Sequence, residues 1–187
     1  MQNQKKWVSM INKIIKICLV LLRKLIFLFD GVDNKLFTLL YYQYLKKRGV
    51  KFGGRPNYIS SLAYIDGQGM DIISIGKDVV ISRDAMLLTH DYSVETALHA
   101  IGKGTADRHL HINEKIIIGD NSFIGARSSL LPGTIIGKNC IIGACSVIKG
   151  VIPDGSVVVG NPGKIVSNIY EQASKFEGDK ICVKKRL

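Results

Sequence analysis

The sequence is poor in cysteine, which argues against a fold held together by disulfides. It has four cysteines in 187 residues, with no CxxC spacing. A small secreted framework would need more thiols at a denser spacing. We therefore interpret the cysteines as reduced thiols that act as small hydrophobic side chains, which fits a cytoplasmic protein.

The sequence also lacks an uninterrupted apolar run long enough to cross a membrane. Residues 11–29 are strongly apolar, but four Lys and Arg residues interrupt them and the longest uncharged stretch is 17–22. A membrane-spanning helix needs about 20 consecutive apolar residues. The same lysines, and the lack of a small-residue cleavage site, argue against a cleavable signal peptide.

Acidic residues are scarce at the start of the chain. Residues 1–55 contain twelve Lys and Arg but only Asp30 and Asp33, so they carry almost all of the net charge of +11. Apolar residues recur there at helical spacing, which predicts a basic amphipathic extension. The first helix is expected to stop near Asp30, and a second to cover 35–48.

Two interpretations of this extension stay open. Its helices could pack on the end of the domain that follows or against neighbouring subunits. Alternatively, residues 5–29 could make a peripheral contact with an anionic membrane surface at the inner face of a membrane. No nucleic-acid-binding motif accompanies the basic residues, so nucleic acid is not a predicted partner.

What the sequence does contain is an internal six-residue repeat between positions 112 and 160. An aliphatic residue opens each block and a small residue follows four places later. The aliphatic positions are Ile118, Ile124, Leu130, Ile136, Ile142 and Ile148. The small positions are Ser122, Ser128, Thr134, Cys140 and Ser146. Glycine follows the aliphatic residue in four of the six blocks.

This period predicts a parallel β-helix. The apolar face of an α-helix would recur every three or four residues, and β-hairpins would alternate every second residue. Six residues suit a short strand and a tight turn, so that three strands close a triangular coil of about 18 residues. We expect the aliphatic and small residues to point inward and the glycine to supply backbone angles closed to other residues.

The same spacing, less regular, predicts earlier coils over residues 56–90. Residues 91–111 lack the repeat and are interpreted as a functional loop that leaves a coil corner. After Ile148 a last strand is expected at 156–159, and a helix over 165–176 should cap the open end. The predicted organisation is a helical extension (1–55), an all-β domain (56–164), and a C-terminal helix with a basic tail (165–187).

Four motifs resemble the hexapeptide-repeat O-acetyltransferases, a left-handed β-helix family that includes maltose, galactoside and streptogramin acetyltransferases and those of bacterial surface polysaccharides. They are Leu87-Leu88-Thr89-His90-Asp91-Tyr92, Ile118-Gly119-Asp120-Asn121-Ser122-Phe123-Ile124-Gly125-Ala126, Ile142-Gly143-Ala144-Cys145-Ser146-Val147-Ile148-Lys149 and Val159-Gly160-Asn161-Pro162-Gly163-Lys164. The resemblance implies a left-handed parallel β-helix.

The resemblance further implies direct transfer from acetyl-CoA to a hydroxyl of a sugar, such as a glycan or polysaccharide precursor, by a metal-free homotrimer with active sites between solenoids. His90 matches the family's catalytic histidine, the general base for the acceptor hydroxyl. Asp91 is implied either to orient the imidazole or to contact the acceptor. The roles of His99, His109 and His111 on the loop stay open between solvation and acceptor contact.

A cofactor-binding set follows from the same resemblance. It comprises Phe123, Ala126, Ala144, Ser146, Lys149 and Lys164. The backbone N–H near Ala126 would stabilise the oxyanion, and pantetheine would lie along the small residues. The two lysines would face the CoA phosphates. The family usually has Trp at position 123 and commonly Arg at 164, so both residues depart from the pattern.

Other functions were weighed on the same residues. Serine acetyltransferases share the solenoid, but their long helical N-terminal domain hardly fits in 55 residues. Related carbonic anhydrases need three histidines on one zinc, and the four histidines here show no spacing that builds such a site. Transfer to a small cytosolic acceptor and a solenoid without catalytic activity remain alternatives.

Overall fold

The computed structural model describes residues 2–66, 70–107 and 109–176. The predicted basic tail at 184–186 lies outside these residues. The chain forms a left-handed parallel β-helix with helices at both ends, which confirms the predicted fold class. The helices are α1 (Gln2–Phe27), α2 (Asn34–Lys47), α3 (Ser93–Ala100) and α4 (Ile169–Phe176), with a short 3-10 helix at Met70–Ile72.

The solenoid is a three-sided prism, and each side is a sheet of short stacked strands. Face A contains β1 (Lys51–Phe52), β4 (Ile73–Ile75), β9 (Ile116–Ile118), β12 (Ile135–Ile136) and β15 (Val151–Ile152). Face B contains β2 (Tyr58–Ile59), β5 (Val80–Ile81), β10 (Phe123–Ile124), β13 (Ile141–Ile142), β16 (Ser156–Val159) and β17 (Lys164–Asn168). Face C contains β3 (Tyr64–Ile65), β6 (Met86–Leu87), β11 (Ser129–Leu130) and β14 (Val147–Ile148).

The predicted inward rows form the core of this prism. All six aliphatic repeat positions and all five small positions are buried. Ile118 pairs with Ile136 and Ile124 with Ile142, so identical repeat positions stack in parallel register. The buried hydroxyls of Ser122, Ser128 and Thr134 donate to backbone carbonyls, for example Ser122 Oγ to Gly137 O at 2.8 Å. These bonds satisfy polar groups that would otherwise destabilise the core.

The repeat glycines have a different role from the one predicted. The glycines that follow the aliphatic residues do not have positive φ; a Cβ on Gly119 would lie 2.5 Å from the backbone carbon of Gly137 in the next coil. Close approach between coils, not an unusual backbone angle, therefore requires glycine there. The left-handed conformation falls just before the small residues, at positions such as Asn121 (φ 54°) and Arg127 (φ 59°).

The segment predicted as a loop is closed at its base and partly helical. β7 (His90–Asp91) pairs antiparallel with β8 (Ile112–Asn113), and α3 lies between them. Ile75 still pairs with Ile118 across this insertion. The insertion therefore leaves the solenoid register unchanged on both sides.

The N-terminal helices cover the first coil. Phe37, Tyr41 and Leu45 of α2 are buried with the solenoid core, and Ser61 Oγ donates a hydrogen bond to Asp30 in the turn after α1. Asp33 caps α2 by accepting from two backbone N–H groups. β1 begins at Lys51, so the coils reach into the segment predicted as the extension. None of the helices in the described residues is long and apolar enough to cross a bilayer.

The predicted C-terminal helix is wrong over its first four residues. Residues 165–168 belong to β17, which runs antiparallel to β16 on the edge of face B. Ile165 and Val166 are β-branched, and the open edge of β16 supplies hydrogen-bond partners. The Asn168 side chain then caps α4 by accepting from the N–H groups of Tyr170 and Glu171, each at 3.0 Å.

Candidate active site

His90 lies at the corner where face C turns back to face A. β7 pairs it with Asn113 of β8, and the Glu114 N–H donates to the Thr89 carbonyl at 2.9 Å. The base of the insertion thus fixes the backbone on both sides of the histidine. Its side chain is 21% exposed, so the imidazole is held by the protein while part of it meets solvent.

A buried carboxylate holds this imidazole. Asp66 is 1% exposed and accepts from the Thr89 N–H at 3.2 Å and the Thr89 hydroxyl at 2.6 Å. The same carboxylate oxygen is hydrogen-bonded to His90 Nδ1. A carboxylate on Nδ1 fixes the tautomer in which Nε2 carries the lone pair. The arrangement can therefore present Nε2 as a proton acceptor.

Sequence reasoning missed Asp66. It directly follows the inward Ile65, and the pairing of Ile65 with Leu87 places it one coil before the histidine corner. The sequence feature that could have indicated Asp66 is an acidic residue at a coil corner, one coil before the histidine. Using it requires the register between two coils, which the irregular spacing of the early repeats leaves undetermined.

Asp91 sits beside His90 in sequence but makes a different contact. Its carboxylate accepts from the Ser93 N–H at 2.8 Å, at the start of α3. Hydrogen bonds from Ser93 lower the pKa of this carboxyl, with a smaller contribution from the positive charge of Lys149. The carboxylate on the imidazole Nδ1 is thus that of Asp66, and Asp91 organises the first turn of the insertion.

The insertion surrounds His90 with aromatic and titratable groups. The Tyr92 ring is edge-on to the imidazole, with centroids 5.2 Å apart, and it lies 4.9 Å from the His111 ring. His109 Nδ1 is 3.3 Å from the Glu95 carboxylate, and His99 Nε2 is 3.9 Å from it.

The surroundings of the three histidines left open in the sequence overlap. His111 and, at 6.5 Å, His109 both face the Tyr92 ring, while His99 and His109 share the Glu95 carboxylate. Within the described ranges, no group of three or more potential metal ligands comes together.

The two predicted alanines occupy the corner between faces B and C. They are stacked in successive coils, because the Ala126 carbonyl accepts from the Cys145 N–H at 2.9 Å. Ala144 is exposed and Ala126 half-buried. Phe123 faces outward on face B and is 40% exposed. This corner offers a narrow, small-residue surface along the outside of the solenoid.

Of the remaining predicted cofactor residues, the lysines are accessible and the serine is not. Ser146 is buried and its hydroxyl accepts from the Gly160 N–H at 3.0 Å, so its side chain holds two coils together. Lys149 is exposed at the end of β14, on the same corner as His90, and Lys164 is exposed on β17. The predicted residues are thus not brought together in one chain: His90 and Lys149 lie at one corner, the two alanines at another, Phe123 and Lys164 on face B, and Ser146 in the interior.

Comparison with known proteins agrees with this architecture. The family described as "Bacterial transferase hexapeptide (six repeats)" matches residues 115–150. The chain is 35% identical to the galactoside O-acetyltransferase of Lactococcus lactis, over 66% of this chain and 58% of that protein. It is 26% identical to the putative lipopolysaccharide biosynthesis O-acetyl transferase WbbJ of Escherichia coli, over 61% of this chain and 59% of that protein.

Two solved structures share the fold. A galactoside acetyltransferase in complex with coenzyme A has a TM-score of 0.56 at 20% identity, covering 78% of each chain. A Vibrio cholerae hexapeptide-repeat acetyltransferase with acetyl coenzyme A has a TM-score of 0.54 at 22% identity, covering 65% of this chain and 61% of that one. Residues 115–150 therefore match the bacterial transferase hexapeptide family, and the chain shares its left-handed β-helix fold with these two acetyltransferases.

Proposed function

We propose that this chain is an acetyl-CoA-dependent O-acetyltransferase that acts on a sugar hydroxyl, with His90 as the general base. The observation that carries the proposal is the buried Asp66 on His90 Nδ1, because it prepares Nε2 to take a proton. The acetyl coenzyme A and coenzyme A bound in the two solved structures support the donor, and the two O-acetyltransferase relatives support an alcohol acceptor.

The chemistry requires a base because an alcohol is a poor nucleophile at neutral pH. His90 Nε2 removes the hydroxyl proton while the oxygen attacks the thioester carbonyl of acetyl-CoA. Backbone N–H groups at the Ala126 corner stabilise the negative charge on the carbonyl oxygen. The intermediate then expels the CoA thiolate, the imidazolium returns its proton to the sulfur, and an O-acetyl sugar and free CoA leave.

The site is shared between subunits in this proposal. His90 and Lys149 lie on one corner of the prism, and Ala126 and Ala144 on another. A neighbouring solenoid placed against the histidine corner supplies the second wall, with pantetheine along its alanines and the CoA phosphates near Lys149 and Lys164. The homotrimer expected for the family provides this arrangement.

The test is a panel of hydroxyl acceptors assayed with acetyl-CoA by release of the free CoA thiol. Simple sugars, glycan precursors, serine and xenobiotic alcohols form the panel. We expect turnover with a sugar and a loss of about a hundredfold or more in His90→Asn, whose amide keeps a donor at the position of Nδ1 for Asp66 but supplies no base. A near-normal rate in that variant would reject His90 as the base.

The panel could fail to include the right acceptor, and an active enzyme would then release no thiol. Calorimetry with acetyl-CoA distinguishes this case from a solenoid without catalytic activity. The proposed enzyme binds acetyl-CoA whether or not the right acceptor is present. A protein that releases no thiol and binds no acetyl-CoA would be a structural solenoid, and the proposal would fail.

A peripheral membrane contact through residues 5–29 is part of the proposal, and it would place acceptors linked to lipid within reach. The exposed side chains of Ile14, Ile17 and Leu21 form one apolar stripe of α1, and acidic residues are scarce throughout the extension. Such a helix suits an anionic interface.

Flotation with vesicles tests this contact. We expect the protein to float with anionic vesicles and not with zwitterionic ones, and the triple change of Ile14, Ile17 and Leu21 to Ser to abolish flotation with the oligomeric state unchanged. If the same variant instead dissociates the oligomer, the stripe is a subunit contact and the membrane interpretation fails.

A further inference from the structure

A second concave site lies between the α1–α2 hairpin and the first coil. It is a cavity of about 650 Å³ lined by α1, by α2, by residues 61–65 and by Met70. None of the residues assigned above to acetyl transfer lines it. Its size is within the range of small-molecule binding sites, roughly 300–1,000 Å³.

Most of the wall of this cavity is apolar. Val20 and Phe27 contribute from α1, Leu62 and Ile65 from the first coil, and Met70 from the segment that follows. The Asp30–Ser61 hydrogen bond fixes the hairpin against the coil at this point. The cavity is therefore a feature of the packed structure, and its wall suits a hydrocarbon chain.

Three cationic side chains stand around the same cavity. Arg23 and Lys24 belong to α1, and Arg48 is the C-cap residue of α2. The Arg23 guanidinium carbon lies 4.9 Å from the centre of the Phe27 ring, which holds it at the wall. No carboxylate among the described residues forms an ion pair with any of the three cations.

The charge of Arg23 reaches the buried side of the cavity. Burial raises the pKa of the Tyr41 phenol to about 12, and the Arg23 charge acts in the opposite direction. An anion bound between the guanidinium groups would meet this positive field. Guanidinium groups also match phosphate oxygens in geometry, since their N–H donors can bind in pairs.

We propose that this cavity binds a phosphorylated lipid, with one hydrocarbon chain along the apolar wall and the phosphate among Arg23, Lys24 and Arg48. A free phosphate would leave the apolar wall uncovered, and an uncharged lipid would leave the three cations unneutralised. Val20 lines the cavity and is itself exposed, so the site opens beside exposed apolar side chains of α1. The inference does not depend on acetyl transfer.

Isothermal calorimetry on the full chain tests the site with three probes. Decyl phosphate is titrated below its micellar concentration, and inorganic phosphate and decanol are titrated separately. We expect decyl phosphate to bind at least about tenfold more tightly than either of the others, because only it satisfies both parts of the cavity. Equal binding of inorganic phosphate would overturn the lipid assignment, and weak binding of all three would overturn the site.

A matched pair of double variants locates the binding. Arg23→Gln with Arg48→Gln should weaken decyl phosphate binding by about tenfold or more.

Lys35→Gln with Lys46→Gln removes the same charge from the same hairpin, but neither residue lines the cavity. We expect this control to bind nearly as wild type. Equal losses in the two variants would show general attraction to a basic surface and reject the site. No acetyl-CoA enters the measurement, so a failed transferase assay leaves this result interpretable.

Discussion

At the scale of single residues, the site depends on a carboxylate that is distant in sequence from the histidine it holds. Asp66 is buried, and it accepts from both the backbone and the hydroxyl of Thr89 as well as contacting His90. The motif that identifies His90 is local, but its partner comes from the preceding coil. A local motif can therefore indicate a general base without showing what orients it.

Substitution of the two aspartates distinguishes their roles. Asp66→Asn should lower kcat by about a hundredfold, because the amide cannot stabilise the imidazolium and favours the wrong tautomer. Asp91→Asn should lower it by less than about tenfold, because Asp91 contacts Ser93. Steady-state kinetics over a range of pH is the measurement, and a positioning role for Asp66 predicts a changed profile of kcat with little change in KM. The reverse ranking would assign the orienting role to Asp91.

The cysteines should differ in reactivity according to their place in the repeat. Burial raises the pKa of the Cys140 thiol, so less thiolate is present there at any given pH. Cys145 is exposed at a coil corner. Because the thiolate is the reactive form, iodoacetamide at pH 8 should label Cys145 and leave Cys140 unmodified in the folded protein. Peptide mass spectrometry reads the result, and rapid labelling of Cys140 would contradict its inward position.

At the scale of elements, the six-residue period predicted the solenoid because every block obeys the same packing constraint. Ile124, Cys140 and Ile142 fall where the pattern puts them. Apart from the role of the repeat glycines, the errors lie outside the regular repeat. Ile165 and Val166 join β17 because an open strand edge was available, and α3 forms inside an insertion that carries no repeat signal. Tertiary contacts determine both the extra strand β17 and the helix α3, and the spacing of residues in the sequence does not reveal those contacts.

The close approach of coils makes a sharp prediction for the repeat glycines. Gly119→Ala should lower the melting temperature by about 5 °C, because its Cβ would lie 2.5 Å from the Gly137 backbone, which cannot move freely. Gly53→Ala is the control, since its nearest contact would be an ordinary 3.5 Å. Thermal unfolding followed by circular dichroism makes the comparison. Similar melting temperatures for the two variants would mean that the coils are less tightly stacked than described.

At the scale of the whole molecule, the candidate site is divided between two corners of one prism. His90 lies where face C meets face A, and Ala144 where face B meets face C. The sequence motifs predicted residues at both corners but not Asp66, the carboxylate on His90. Which corners face each other in an assembly depends on contacts between chains, and no periodicity within one chain encodes them.

Subunit complementation tests the division. His90→Gln and Ala144→Tyr should each be nearly inactive, the second because a large side chain fills the alanine corner. Mixed oligomers made by refolding the two together should recover roughly a quarter of wild-type activity, since some sites then combine two intact corners. Light scattering should give a mass near three times 20.6 kDa. No recovery in mixed oligomers would place the whole site within one chain.

The insertion between β6 and β9 has a consequence for how such a protein can diversify. Ile75 pairs with Ile118, and Ile81 with Ile124, in the same register as coils without an insertion. The stacking of the coils therefore does not depend on the sequence of the inserted segment. Its length and side chains can drift, or be grafted from another chain, while the Asp66–His90 pair beneath stays in place. In the proposed enzyme, exchange of residues 92–111 would therefore test whether this insertion selects the acceptor alcohol without disturbing the Asp66–His90 pair.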